Sequence, residues 1–296
     1  MSKTERDARL IAVVGPTASG KTDLALQIAQ RYRGEIIAAD SRTIYKGMDI
    51  GTAKPTAAQQ ARIKHHCLDL ITPDRNFSAA EFKAHALDAI CDIRARGKLP
   101  ILVGGTGLYT YAVLYDYQFP AGASNELRMQ LEKMPITELV AQIKQLDPER
   151  AAEIDLNNPR RVIRAIETAG KPRTSRPKLP PNWLLVGLNP GQQAIESNII
   201  RRTSAMFKAG LTDEVKALVS HYGPDCEPLN TVGYREIIDN LTGKTTLAEA
   251  EELIMVHTRQ LMKRQMTWFK RSPDIMWAQS AEEALRVAQK FMTKAV

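Results

Sequence analysis

The chain has 296 residues, of which 44% are hydrophobic and 25% charged, and its formal net charge is +8. That balance suits one large globular domain, or a core carrying a smaller inserted one, and excludes disordered and fibrous classes. No apolar run approaches the roughly 18 residues of a membrane span, and the charged start MSKTERDARL leaves no room for a secretory leader, so a cytoplasmic protein without membrane attachment is expected.

In chain order, Leu10–Gly15 (LIAVVG) is an apolar, β-branched run ending in glycine and reads as a buried strand. Lys21 to about Tyr32 reads as a helix with Gly34 as its stop signal. Glu35–Ala39 is a second short strand, ending at Asp40-Ser41. Ser78–Arg96 is helical by pattern, with Ser78 as N-cap and Glu81 completing a capping box. Leu99–Val103 is a third strand, followed by Gly104-Gly105. Strand–helix–strand alternation predicts an α/β fold with a parallel sheet flanked by helices.

The middle changes character. From Ser124 to about Gly170 the pattern is helical throughout, and Pro172–Pro181 holds four prolines and reads as an extended linker. Trp183–Leu188 (WLLVGL) is again a strand. A helical insertion domain over 123–181 is therefore expected to divide a core made of 1–122 and 182–296. The last part is mostly helical, with a long helix from Leu247 to about Phe269.

Gly15–Thr22 reads GPTASGKT and fits the phosphate-loop pattern G-x-x-x-x-G-K-[ST], directly after a strand and opening a helix. In such a loop (Gly15, Pro16, Thr17, Ala18, Ser19, Gly20, Lys21, Thr22) backbone N–H groups and the helix N-terminus cradle phosphate oxygens. Lys21 adds a point charge, and the Thr22 hydroxyl is placed to hold Mg²⁺. The loop does not say which phosphate compound binds, so nucleotide binding stays open here. Asp40 sits at the carboxyl end of the second strand, where open parallel sheets bind ligands. It can be a turn residue or cap, a Mg²⁺ ligand or a general base. Cys67, Cys91 and Cys226 form no CxxC pair, so neither a zinc site nor a disulfide framework is supported.

Two basic patches point to a polyanion partner. Asn158-Pro159 reads as an N-cap followed by proline at the first helical position, which puts Arg160 and Arg161 in the first turn, against the helix dipole. On the long helix, at about 100° per residue, Arg259, Lys263 and Lys270 fall within about 40° of one another, while Leu261, Trp268 and Phe269 point away toward a core. Solvated arginines and a solvated helix face are the bland alternatives.

DSRTIYKGMDIGTAKP (Asp40–Pro55) closely resembles the segment after the second strand in tRNA dimethylallyltransferases, and GPTASGKT resembles that family's phosphate loop. GGTGLY (Gly104–Tyr109), DPERAAEIDLNNPRRVIRAIE (Asp147–Glu167), GLTDEV (Gly210–Val215), VGYREI (Val232–Ile237) and TRQLMKRQMTWFK (Thr258–Lys270) continue the likeness in order, over almost the whole chain. A bacterial-type member, without the zinc-finger extension of the eukaryotic kind, is expected.

The resemblance implies transfer of a dimethylallyl group from its diphosphate to the exocyclic amine of the adenosine 3′ of the tRNA anticodon, by a monomer using Mg²⁺. It implies diphosphate and Mg²⁺ at Lys21 and Thr22, Asp40 as general base, Thr106 near the bridging oxygen, and Arg202 aiding the departing diphosphate. The expected tRNA contacts are Asp40, Ser41, Arg42, Thr43, Arg128, Pro159, Arg160, Arg161, Val162, Ile163, Lys263, Arg264 and Lys270. Two departures stand out: Asn198 replaces a family arginine, and Ile154-Asp155-Leu156-Asn157-Asn158 replaces the usual I-x-P-N-D. The rival readings are a prenyltransferase acting on free adenine nucleotides, a P-loop nucleotide kinase, and a non-enzymatic RNA-binding module.

Overall fold

The computed structural model describes residues 8–119, 125–171 and 177–294. Ser124 and Pro172 of the expected insertion and linker lie outside them. The chain forms two compact units, Met1–Asp116 with Lys178–Val296, and Tyr117–Pro177.

The first unit is built on a six-stranded, all-parallel sheet. Its strands are β1 (Leu10–Val14), β2 (Gly34–Ala38), β3 (His65–His66), β4 (Leu99–Gly104), β5 (Trp183–Leu188) and β6 (Met276–Ala278), in the order β3-β2-β4-β1-β5-β6. Every residue of β1, β2, β4 and β5 is buried, as expected where helices cover both faces of a parallel sheet. Helix α1 (Lys21–Tyr32) packs on β2 and β4, and its Leu24, Ala25 and Ile28 join Ile11, Val13, Ile101 and Val186 in one core.

Gly34 does not act as the helix stop. Arg33 takes the left-handed cap at φ 52°, and Gly34 is the first residue of β2. The glycine is needed for a different reason: a Cβ there would lie 2.6 Å from Ile101 Cδ1 and 2.9 Å from the Leu99 carbonyl.

In chain order the remaining helices of this unit begin with α2 (Ala57–Arg62), α3 (Ala79–Ala95) and α4 (Gly107–Leu114). Ser78 caps α3 in a complete capping box with Glu81. The second unit holds α5 (Asn125–Lys133), α6 (Ile136–Leu146), α7 (Pro148–Glu153) and α8 (Pro159–Glu167) around Leu131, Leu139, Ile143, Val162, Ile163 and Ile166. After β5 come α9 (Gln192–Lys208), α10 (Leu211–Tyr222), α11 (Tyr234–Leu241), α12 (Leu247–Phe269) and α13 (Ala281–Thr293). Helices α9–α12 and the loop after β2 share another core, which includes Ile44, Met48, Leu211, Val215, Tyr234, Ile237 and Ile254. Cys67 is buried and Cys91 and Cys226 are half-buried, and none of the three is in a disulfide among the described residues. Among the described residues no helix is long and apolar enough to cross a membrane.

Candidate active site

The phosphate loop occupies the turn from β1 to α1. Ala18 (φ 62°) and Gly20 (φ 87°) are left-handed, which curls the backbone around a concavity. Gly15 has no room for a side chain, because a Cβ would lie 2.5 Å from the Leu188 carbonyl of β5. The Ser19 hydroxyl is buried without a hydrogen-bond partner. An orphaned hydroxyl in a loop of this shape fits a phosphate oxygen. Lys21 Nζ donates to the Pro16 carbonyl at 3.2 Å. Burial, the largest influence, pulls the Lys21 amine down to about 8; Asp40 opposes the shift and Arg202 adds to it.

A cavity of about 140 Å³ opens beyond the loop, lined by Thr17, Lys21, Thr22, Asp40 and Arg202, with Ala25, Ile36, Ala38, Pro55, His65 and Val103 as further walls. Beside its cationic end the cavity carries an apolar patch of Ala25, Ile36, Ala38, Pro55 and Val103, a combination that suits an amphiphile with a charged head. Arg202 on α9 donates to Thr17 Oγ1 at 3.1 Å and to the Thr52 carbonyl at 3.3 Å. Burial lowers its pKa and Asp40 counteracts that shift. Asn198, one turn earlier, donates to the Ala18 carbonyl at 2.9 Å. The amide thus braces the phosphate loop and adds no charge.

Asp40 lies just past β2. Its Oδ1 accepts from the Arg42 backbone N–H at 2.9 Å, so it is a turn residue as well as a cavity wall. The Thr106 hydroxyl accepts from the Ser41 N–H at 3.1 Å, and the Thr106 N–H donates to the Ala39 carbonyl at 3.3 Å. These bonds tie the loops after β2 and β4 together. Gly104 makes the approach possible, since a Cβ on it would sit 1.9 Å from the Ala39 carbonyl oxygen. Thr43 is buried, and Arg42 pairs with Glu227 at 3.4 Å.

A second cavity, of about 440 Å³, also has Asp40, Ser41, Arg42 and Thr106 on its wall, and continues to Arg235, His257 and Arg264. Leu261 lines both cavities, so it faces the site and not the core expected for it. Phe269 is fully buried, and Trp268 packs over Gly107, where a Cβ would lie 2.1 Å from the indole.

Two residues that hold the site together lie inside the segments GLTDEV and TRQLMKRQMTWFK, but local spacing assigns neither of them a role. Gln265 on α12 accepts from the Thr17 N–H at 2.7 Å and donates to the Gly105 carbonyl at 3.1 Å, bridging the phosphate loop and the loop after β4. Glu214 on α10 accepts from the N–H groups of Asp49 (3.0 Å), Ile50 (2.7 Å) and Gly51 (3.1 Å), and from the Tyr234 hydroxyl at 2.7 Å. It fixes the loop whose Thr52 carbonyl receives Arg202.

The other candidate residues are dispersed. Lys263, Arg264 and Lys270 are exposed on α12 or at its end and form no ion pair among the described residues. Arg259, expected with them, is half-buried. In the second unit, Asn158 caps α8 by accepting from the Arg161 N–H at 3.3 Å, with Pro159 in the first turn and no acidic residue there. Pro159, Arg160 and Arg161 are exposed. Val162 and Ile163 are not available as RNA contacts: both are buried in that unit's core, where the apolar face of a short amphipathic helix has to go. Arg128 is exposed and pairs with Glu132 at 3.1 Å and Glu167 at 3.6 Å.

The family model described as IPP transferase matches residues 43–272, a span that excludes the phosphate loop and Asp40. The chain is 42% identical to a tRNA dimethylallyltransferase of Anoxybacillus flavithermus over 94% of its own length and 92% of the relative's. It is 41% identical to one from an Exiguobacterium species over 95% and 93%. Among solved structures, the full-length tRNA isopentenylpyrophosphate transferase of Bacillus halodurans superimposes with a TM-score of 0.73 at 36% identity, covering 97% of each chain. A eukaryotic dimethylallyltransferase acting on tRNA gives 0.83 at 25% identity, covering 97% of this chain and 80% of that one. With its P-loop-type parallel sheet, its paired cavities and these relatives, the chain belongs to the IPP transferase family.

Proposed function

We propose that the protein is a tRNA dimethylallyltransferase: it moves the dimethylallyl group of dimethylallyl diphosphate to the N6 amine of the adenosine next to the anticodon, and releases diphosphate. The observation that carries this reading is that Asp40 lines both cavities. One cavity has the charge and apolar walls for the donor, and the other has the room and basic rim for a nucleobase on an RNA strand. The adenine would leave its stack to reach it.

In this reading the donor diphosphate lies on the loop from Gly15 to Thr22, with Lys21 and Arg202 neutralising charge as the C–O bond breaks. The amine attacks the first carbon of the prenyl chain, diphosphate leaves, and the amine's proton passes to Asp40. Thr106, tied to Ser41, positions the Asp40 loop next to the donor. The residues fit Mg²⁺: the Thr22 hydroxyl is on the cavity wall and makes no side-chain hydrogen bond among the described residues. Mg²⁺ usually takes one or two protein ligands and completes its shell with phosphate oxygens and water. Bound there, it would supply further charge neutralisation to the leaving group.

Ser41, Arg42, Arg264 and the exposed cations Arg128, Arg160, Arg161, Lys263 and Lys270 are assigned to the tRNA, the anticodon stem-loop being the part engaged. Thr43 is assigned to shaping the Asp40 loop. The protein is taken to act in the cytoplasm as a monomer. Free adenine nucleotide is the disfavoured acceptor, because a small substrate needs no such basic surface. The test is competition. Offered equal concentrations of AMP and an anticodon stem-loop with dimethylallyl diphosphate and Mg²⁺, the enzyme prenylates the RNA; preferential labelling of AMP would overturn the acceptor assignment.

A further inference from the structure

His257 stands on α12 in the wall of the cavity assigned to the acceptor, which Arg235 and Arg264 also line. Its Nδ1 is 2.5 Å from Glu236 Oε1. Glu236 is buried on α11, and its other oxygen accepts from the Gly233 N–H at 2.8 Å. Arg235 Nη2 lies 3.5 Å from the same Nδ1, but the much shorter carboxylate contact decides the ring's proton placement. A carboxylate can only accept, so Nδ1 carries hydrogen and donates. That fixes ring orientation and tautomer, as a second group does for catalytic and metal-bound histidines. The Nε2 edge has no partner among the described residues.

We infer that His257 is an RNA-contacting residue whose Nε2 accepts a hydrogen bond from a ribose 2′-hydroxyl near the target adenosine, with Glu236 as its positioning residue. The inference rests on the tRNA reading above. With Nδ1–H committed to Glu236, the remaining nitrogen of an imidazole carrying that one proton offers a lone pair and no donor at its open edge. Along an RNA backbone the phosphate and ring oxygens only accept, and the 2′-hydroxyl is the group able to donate. It is also the group that separates RNA from DNA. The neighbouring arginines, which only donate, serve the phosphates. An acceptor lining the same cavity as two such donors would read the sugar while they hold the strand.

The experiment is a double-substitution cycle across the interface. Anticodon stem-loops carrying a single 2′-deoxy substitution, at the target nucleotide or at one of its neighbours, are assayed with wild type, His257→Ala, His257→Gln and Glu236→Gln. In wild type, one deoxy position should raise the RNA KM by about 2–10-fold, the value of one net hydrogen bond. In His257→Ala that penalty should disappear, with donor KM unchanged. His257→Gln, which keeps an acceptor, should restore part of it, and Glu236→Gln should weaken it by freeing the ring. Equal deoxy penalties in wild type and His257→Ala would overturn the proposal. A salt slope lowered by about one unit in His257→Ala with no such coupling would also reject it, in favour of a phosphate contact. Failure of wild type to prenylate the unmodified stem-loop would instead remove the tRNA reading itself.

Discussion

Asp40→Asn keeps the shape of the side chain and removes its capacity to take a proton. The Asn Oδ1 can still accept from the Arg42 N–H, so the turn after β2 should survive. As the proposed base acts in the transition state, kcat should fall by about 10²–10⁴-fold, which is roughly 2.7–5.4 kcal/mol at 1.36 kcal/mol per decade. A second effect follows from the neighbourhood. Asp40 is the group that favours the charged form of Lys21, whose pKa burial has already lowered to about 8. The charged amine binds diphosphate and is lost as pH rises through that value, so donor KM in wild type should climb above about pH 8. Without the Asp40 charge the Lys21 pKa drops further, and the climb should begin at lower pH. Steady-state kinetics from pH 6.5 to 9.5 read both effects. A variant as fast as wild type would refute the base assignment, and an unshifted donor KM profile would refute the coupling to Lys21.

Three further outcomes follow from the same geometry. Arg161→Ala and Lys263→Ala should each lower the magnitude of the salt slope of tRNA binding by roughly one unit, weaken different tRNAs about equally, and leave donor KM unmoved; titrations at several salt concentrations check this. Gly104→Ala forces a Cβ to 1.9 Å from the Ala39 carbonyl, so thermal denaturation should show a loss of about 1–3 kcal/mol or more, with reduced kcat because the Asp40 loop is pushed away. Glu214→Ala strands three backbone donors of the loop that receives Arg202, and should raise donor KM as well as lower Tm, by about 1–3 kcal/mol in stability, measurable by kinetics and calorimetry on one preparation.

The parts of the fold that were legible are those where local chemistry settles the backbone. LIAVVG before GPTASGKT is a strand, loop and helix in which each residue type has one role, and Ser78 with Glu81 marks a helix start without reference to the rest of the chain. What was hidden depends on distant partners. His65–His66 forms an edge strand of two residues, too short to show periodicity, and exists because β2 offers it a ladder. Gly34 reads as a helix stop in the sequence because a glycine after a helix can serve as a cap or as a close contact, and only the position of Ile101 separates the two. Val162 and Ile163 follow two arginines in sequence, but the helix turns them inward. Gln265 and Glu214 act on loops far away in the chain, and nothing in their local spacing announces it.

The most direct test of the central claim is the stoichiometry of the reaction itself. Purified protein is mixed with dimethylallyl diphosphate, Mg²⁺ and unmodified tRNA, with ATP omitted. Diphosphate release is followed alongside nucleoside mass spectrometry of the digested RNA. The account predicts one N6-dimethylallyl adenosine formed for each diphosphate released, at the position 3′ of the anticodon. A requirement for ATP, with phosphate released in proportion to product, would contradict it and restore the kinase reading.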